Sequence, residues 1–143
     1  MMQEKKTQSL LTHPELSNVT SGIVSSAFKV HQELGPGLLE SVYHHCMVKE
    51  LESRNLQIRT LVPIPLLYKG EVLNKEHIID ILVADQVIVV LKSVDAVLPV
   101  HHAQVISYLK LANKPIGFLI NFHVPVIKQG IKRFVNNVRH EPS

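Results

Sequence analysis

Apolar residues fall at Val19, Ile23, Val24, Ala27, Phe28 and Val30, the spacing of one face of an α-helix. The chain predicts a helix from about Asn18, capped by Ser17 or Asn18, whose side-chain oxygens can accept an orphan backbone N–H. Gly35-Pro36-Gly37 must stop it, because proline lacks the donor and disfavours helix in the residue before it. A second helix is expected from near Leu38 to Arg54-Asn55, with Leu39, Val42, Tyr43, Cys46 and Met47 on one face. Gln57–Leu67 is β-branched and aliphatic, but Pro63 and Pro65 confine it to an edge or a bulged strand. His77–Val83 and Val87–Val94 read as a hairpin around Ala84-Asp85-Gln86. Val100–Leu111 returns to helical spacing, Lys114-Pro115 ends that helix, and Ile116–Phe122 is a short buried strand. The tail from Val124 is ambiguous between strand and helix. Residues 1–16 are polar without a clear period and read as a loose arm.

The order is thus helix, helix, three strands, helix, strand, tail. A strand–helix–strand crossover places the Ile116 strand parallel to the Val87 strand. This predicts an α/β fold with a mixed sheet flanked by helices, one domain over 17–138 and a tail at 139–143. Single-domain size agrees with 143 residues, 45% of them hydrophobic. A lone Cys46 excludes an internal disulfide and any zinc spacing of the Cys/His type. The first residues, MMQEKKTQ, lack the apolar run of a signal peptide. Apolar runs broken at Asp80, Asp85 and Lys92 are too short for a membrane span. A cytoplasmic protein with no membrane partner is the expectation.

Net charge is +3, but it is unevenly placed. Residues 96–143 carry Lys110, Lys114, Lys128, Lys132, Arg133 and Arg139 against Glu141 alone. That asymmetry suits a polyanionic partner, nucleic acid first, although a merely soluble basic surface has the same sum. Lys128, Lys132, Arg133 and Arg139 are the candidate contacts.

Asp80 and Lys92 are charges inside otherwise apolar strands, HIIDILV and VIVVLKSV. An unpaired buried charge is costly, so such residues are paired, exposed or functional. With a three-residue loop Val83 faces Val87, and Asp80, Val90 and Lys92 share one face. A two-residue loop instead sets Asp80 opposite Leu91 and breaks the group. A plain ion pair at a sheet end accounts for the two charges equally well. Nine histidines include the adjacent pairs His44-His45 and His101-His102, but neighbours on a helix point apart. They are read as surface or packing residues, except His101, one turn before Gln104. No Gly-rich phosphate loop and no G-x-S-x-G motif is present.

Several segments carry a resemblance. GPGLLESVY at Gly35–Tyr43 resembles the signature of the GxxExxY family, with Gly37, Glu40 and Tyr43 at the named positions. The likeness extends through DILVADQVIVVLKSVD, PVHHAQVISYLKL, GFLINFHVP and GIKRFVNN, from about Val24 to Asn136. That family is part of the PD-(D/E)xK nuclease-like superfamily, and the resemblance implies its αβββαβ core, matching the order above. It also implies a prokaryotic nuclease-like protein that binds nucleic acid, DNA ahead of RNA. In that superfamily an Asp on one hairpin strand and (Asp/Glu)-x-Lys on the next serve the reaction, the carboxylates holding Mg²⁺. Asp80 matches the first carboxylate and Lys92 the lysine, but the position that should be acidic is Val90. Valine offers no ligand to a hard cation, so the site is expected to be eroded, with Mg²⁺ weakly held by Asp80 and Glu40. Asp95 and Glu76 are less well placed to replace it. Gln104-x-x-x-Tyr108 resembles a Gln-x-x-x-Tyr element of one branch, whose members share a helix face. Two other outcomes stay open: an active divalent-metal phosphodiesterase with Glu40 as second carboxylate, and a non-catalytic module for a protein partner or homodimer.

Overall fold

The computed structural model describes residues 13–136. Two helices come first, α1 (Ser17–Leu34) and α2 (Glu40–Ser53). Strands β1 (Ile58–Tyr68), β2 (Glu71–Val83) and β3 (Val87–Lys92) follow, then α3 (Pro99–Ala112), β4 (Ile116–Asn121) and β5 (Ile131–Val135). The five strands form one sheet in the order β1-β2-β3-β4-β5. β3 and β4 run parallel across the α3 crossover, and every other neighbouring pair is antiparallel.

Helices cover both faces of the sheet. On one face Ile23, Ala27, Val30, Tyr43, Met47 and Leu51 of α1 and α2 meet Ile81, Val89, Leu91, Phe118 and Ile120. On the other, Val105, Tyr108 and Leu109 of α3 meet Ile64, Ile79, Leu82, Ile88, Val90 and Leu119. Burial on both faces explains why β3 and β4 are nearly continuous aliphatic runs rather than alternating ones. Gly117 lets α3 pack close to β4, since a Cβ there would lie 3.0 Å from Val105 Cγ1.

The structure corrects the sequence reading at several points. The first helix begins at Ser17, and neither Ser17 nor Asn18 caps it; Leu16 holds the cap position without a side-chain bond. Residues Pro14–Leu16 of the expected arm form a 3-10 turn with Leu16 buried in the core; residues 1–12 lie outside the described ones. The buried stripe of α2 is Tyr43, Met47 and Leu51, whereas Leu39 is 72% exposed, because it precedes the helix rather than sitting on its face. β2 starts at Glu71 instead of His77, its polar first half held by pairing with β1. The ambiguous tail resolves into a 3-10 turn (Ile127–Gly130) and the edge strand β5. β1 is the opposite edge, and its register shifts between Ile64 and Leu66, where Pro65 has no N–H to give the ladder.

Candidate functional site

The three-residue connection is the one observed: Val83 pairs with Val87, and Ala84 and Asp85 both adopt left-handed backbone. The β2–β3 pairing then runs only as far as Ile81 with Val89. One residue on, β2 is irregular. The β1 ladder steps from Thr60–Ile81 to Val62–Ile79, omitting Leu61 and Asp80, and Leu61 has φ of 51°. The alternation of faces also breaks there, since Ile79 and Leu82 both meet α3 while Ile81 and Val83 meet α1 and α2. The ladder skips this one pair without changing register, and the break in alternation re-aims the side chains around it. Here it turns the Asp80 carboxylate to β3, where Oδ2 accepts the Leu91 backbone N–H at 2.8 Å. Continuing the register would have given that N–H to the backbone of Ile79.

Glu40 reaches the same region by a different construction. It is the first residue of α2, placed by a clamp built from the glycine loop before it. Tyr43 donates its hydroxyl to Gly35 O at 2.5 Å and accepts the Leu38 N–H at 3.2 Å. Its ring stacks on Phe122 with centroids 4.5 Å apart and 4° between planes. Gly35 and Gly37 have φ of 68° and 98°, conformations that side chains resist. Ser93, just past β3, donates to Leu38 O at 2.7 Å and ties the loop to the strand end that carries Lys92.

Four ionisable groups converge as a result. Burial holds the Asp80 carboxyl above the usual carboxylate range, and the Leu91 N–H and the charges of His44 and Lys92 pull partly against it. Burial also raises Glu40, and the Asp80 charge adds to the rise, while Lys92 and His44 oppose it. A carboxylate that raises its neighbour, beside a lysine and an imidazole, makes an electrostatically coupled group. On the α3 side, Gln104 Nε2 donates to the Tyr108 hydroxyl at 3.2 Å. Burial raises its pKa, and the Asp80 charge adds to that. Gln104 Oε1 is buried without a partner.

His44 was not singled out by the sequence. Its Nε2 lies 3.2 Å from the Asp80 carbonyl oxygen, and it stands one helical turn after Glu40. That i, i+4 spacing with a carboxylate was the available signal; the neighbouring His45 obscured it. His101 does not join the group: its Nδ1 accepts the Leu98 N–H at 3.0 Å and closes the start of α3. Asp95 is spent on an ion pair with His123 at 3.2 Å. The side chain of Glu76 lies outside the described ones.

The expected metal ligands form a poor set. Val90 is 4% exposed, between Leu119 on β4 and the α3 residues Val105 and Tyr108. One Asp80 oxygen already serves a backbone N–H. Among the described residues no group of three His, Cys, Asp or Glu side chains could hold a metal ion. A hard cation that prefers several oxygen ligands does not fit the residues present.

The basic residues do not form one track. Lys132 and Arg133 are successive on β5, so they point to opposite faces. Lys132 borders a pocket with Asp95 and His102, and Arg133 borders a groove with Ile106 and Lys110. Lys128 lies in the 3-10 turn, and Arg139 falls outside the described residues. Among the described residues no helix is long and apolar enough to cross a membrane.

Comparison with known proteins gives one match: the family model described as PD-(D/E)XK nuclease superfamily, over residues 17–134. No curated protein and no solved structure matches the chain.

Proposed function

Because the chain belongs to the PD-(D/E)XK nuclease superfamily, we propose that it is a nucleic-acid-handling member with an eroded metal site. The GxxExxY family is the branch we assign it to, on the Gly37, Glu40 and Tyr43 positions. The observation that carries the reading is Val90. It occupies the position two before Lys92, where the superfamily has an acid, and its side chain is closed into an aliphatic cluster. What remains can position a nucleic-acid backbone without cleaving it. Lys92 supplies charge, and the hydrogen-bonded Gln104–Tyr108 pair supplies polar groups. The positive charge of the C-terminal third, spread over separate surfaces, adds sequence-independent attraction.

A second reading draws on one specific observation, the mutual repulsion of Glu40 and Asp80. Paired carboxylates of this kind suit a divalent-metal nuclease in which Glu40 serves as the second acid. One experiment separates the two. Calorimetric titration of Mg²⁺ and Mn²⁺ into the wild type and Val90→Glu is run beside a cleavage assay on DNA and RNA. The eroded site predicts weak binding and no cleavage by the wild type, and tighter binding by the variant. Without metal, Val90→Glu should cost about 2–5 kcal/mol of stability, since it buries an unpaired carboxylate. Wild-type cleavage abolished by Glu40→Ala would overturn erosion and establish the second reading.

A further inference from the structure

The two edges of the sheet are built differently. β1 carries Pro63, Pro65 and an irregular register, ordinary guards against a further strand. β5 has neither a proline nor a break in its pairing with β4, and it ends the sheet among the described residues.

The pairing shows which backbone groups of β5 face outward. The Asn136 N–H donates to Pro115 O at 2.9 Å, and these two residues continue the β4–β5 register. Hydrogen-bonded and non-bonded pairs alternate along an antiparallel ladder. Phe134 and Lys132 therefore bond to β4, whereas Arg133 and Val135 turn both N–H and C=O away from it. A groove of about 480 Å³ lies at this edge, lined by residues 133–136 and by Ile106, Leu109 and Lys110 of α3. It is braced on the α3 side. Asn136 Nδ2 donates to the Leu109 and Lys114 carbonyls at 3.1 Å each, and the His102 ring meets Phe134 edge-on with centroids 5.6 Å apart. Outward backbone groups beside a side-chain groove are what strand addition requires: main-chain bonds give affinity, and the groove selects side chains.

Charge selects the occupant. Residues 96–136 contain five Lys and Arg and no Asp or Glu. Neither Lys110 nor Arg133 is in an ion pair among the described residues. A second copy added antiparallel across Arg133 would set one Arg133 against the other, and like charges directly opposite are unfavourable. An acidic strand reverses that sign. The phosphates of a nucleic acid would meet the outward N–H groups but leave the outward carbonyls without donors.

We infer that the β5 edge binds an extended acidic segment of another protein as a sixth strand. A carboxylate stands opposite Arg133, and the adjoining apolar side chain, on the other face, enters the groove beside Ile106. The inference does not depend on the nucleic-acid reading above.

The test titrates the isotope-labelled full chain with the capped peptide Ser-Glu-Val-Glu-Val-Glu-Ser, followed by amide shifts and hydrogen exchange. In the protein alone the Lys132 and Phe134 amides should exchange slowly and those of Arg133 and Val135 fast. The peptide should slow the second pair. Arg133→Glu should weaken binding by about tenfold or more and should instead bind the peptide with Lys in place of Glu, a gain that loss of folding cannot produce. Methylating alternate peptide nitrogens should abolish binding in one phase and spare it in the other. No binding at about millimolar peptide, or binding that leaves the Arg133 and Val135 amides fast, overturns the assignment. Protection of those amides by self-association without peptide gives the edge to a second copy and also overturns it. A single-stranded oligonucleotide is titrated separately; if it shifts these amides and the peptide does not, the groove belongs to nucleic acid and the inference fails.

Discussion

The Tyr43 clamp and the Asp80 group share the helix α2, yet their polar atoms are treated oppositely. In the clamp the Tyr43 hydroxyl both donates and accepts, and the ring stacks flat on Phe122. In the other group burial raises the pKa of Asp80 and of Glu40, and Gln104 Oε1 has no partner. The first arrangement stabilises the fold, while the second subtracts from it. Such a division is characteristic of a scaffold that holds costly groups in place for binding or chemistry. The clamp ties three nearby positions together: Tyr43 holds the loop at Gly35 and Leu38, and that loop leads directly into Glu40, the first residue of α2.

The largest effect should come from breaking the clamp. Tyr43→Ala removes a fully buried ring and should cost about 3–5 kcal/mol in urea denaturation, as large-to-small aromatic changes in cores do. Tyr43→Phe keeps the stack and leaves the Gly35 carbonyl without its donor, costing about 1–3 kcal/mol. A phenylalanine variant as stable as wild type would reduce the clamp to simple packing.

At Asp80 the sign reverses. Asp80 is raised in the folded state, so the folded protein holds this proton more firmly than the unfolded chain does. Stability is therefore lost as pH rises from near the unfolded value, about 3.9, through the folded one, and stays lost above it. Asp80→Asn, which still offers an oxygen to the Leu91 N–H, should be more stable than wild type at pH 7. The advantage should vanish at pH 3, where both states of the wild type are protonated. Thermal melts at the two pH values decide it, and a destabilised Asp80→Asn at pH 7 would show that charge pairing with Lys92 outweighs burial.

The smallest effect concerns Gln104. Gln104→Met loses the bond to Tyr108 but also removes the unpartnered oxygen, so the two changes offset to within about 1 kcal/mol. A much larger loss in denaturant melts would mean that Gln104 holds Tyr108 in place and belongs with the clamp in kind.

Strong local signals made much of this legible in the sequence. Two prolines marked β1 as an edge, and the aliphatic runs of β3 and β4 marked the buried parallel pair. A charge within each hairpin strand singled out Asp80 and Lys92. What stayed hidden depended on tertiary contacts. β2 begins in a polar stretch that only β1 makes into strand, and β5 reads ambiguously because Ile131-Lys132-Arg133-Phe134 puts two cations together. The three-residue connection between β2 and β3 could be read from the sequence, but the break in alternation that turns the Asp80 carboxylate toward Leu91 has no signature in residues 78–83. His44 had a signal in its spacing from Glu40, yet its partner is a backbone carbonyl, which side-chain patterns do not report.

The irregularity at Asp80 also divides the sheet. Below it β2 is stitched to β1 and β3; above it, from Ile79 back to Glu71, β2 pairs with β1 and not with β3. A two-stranded ribbon of that kind is only marginally stable by itself. It is fastened to the body by Ile64 and Ile79, packed in one cluster with Val105, Tyr108 and Leu109 of α3. Asp80 thus sits where the five-stranded body narrows to a ribbon, and the ribbon's hold on that body is apolar packing against a single helix.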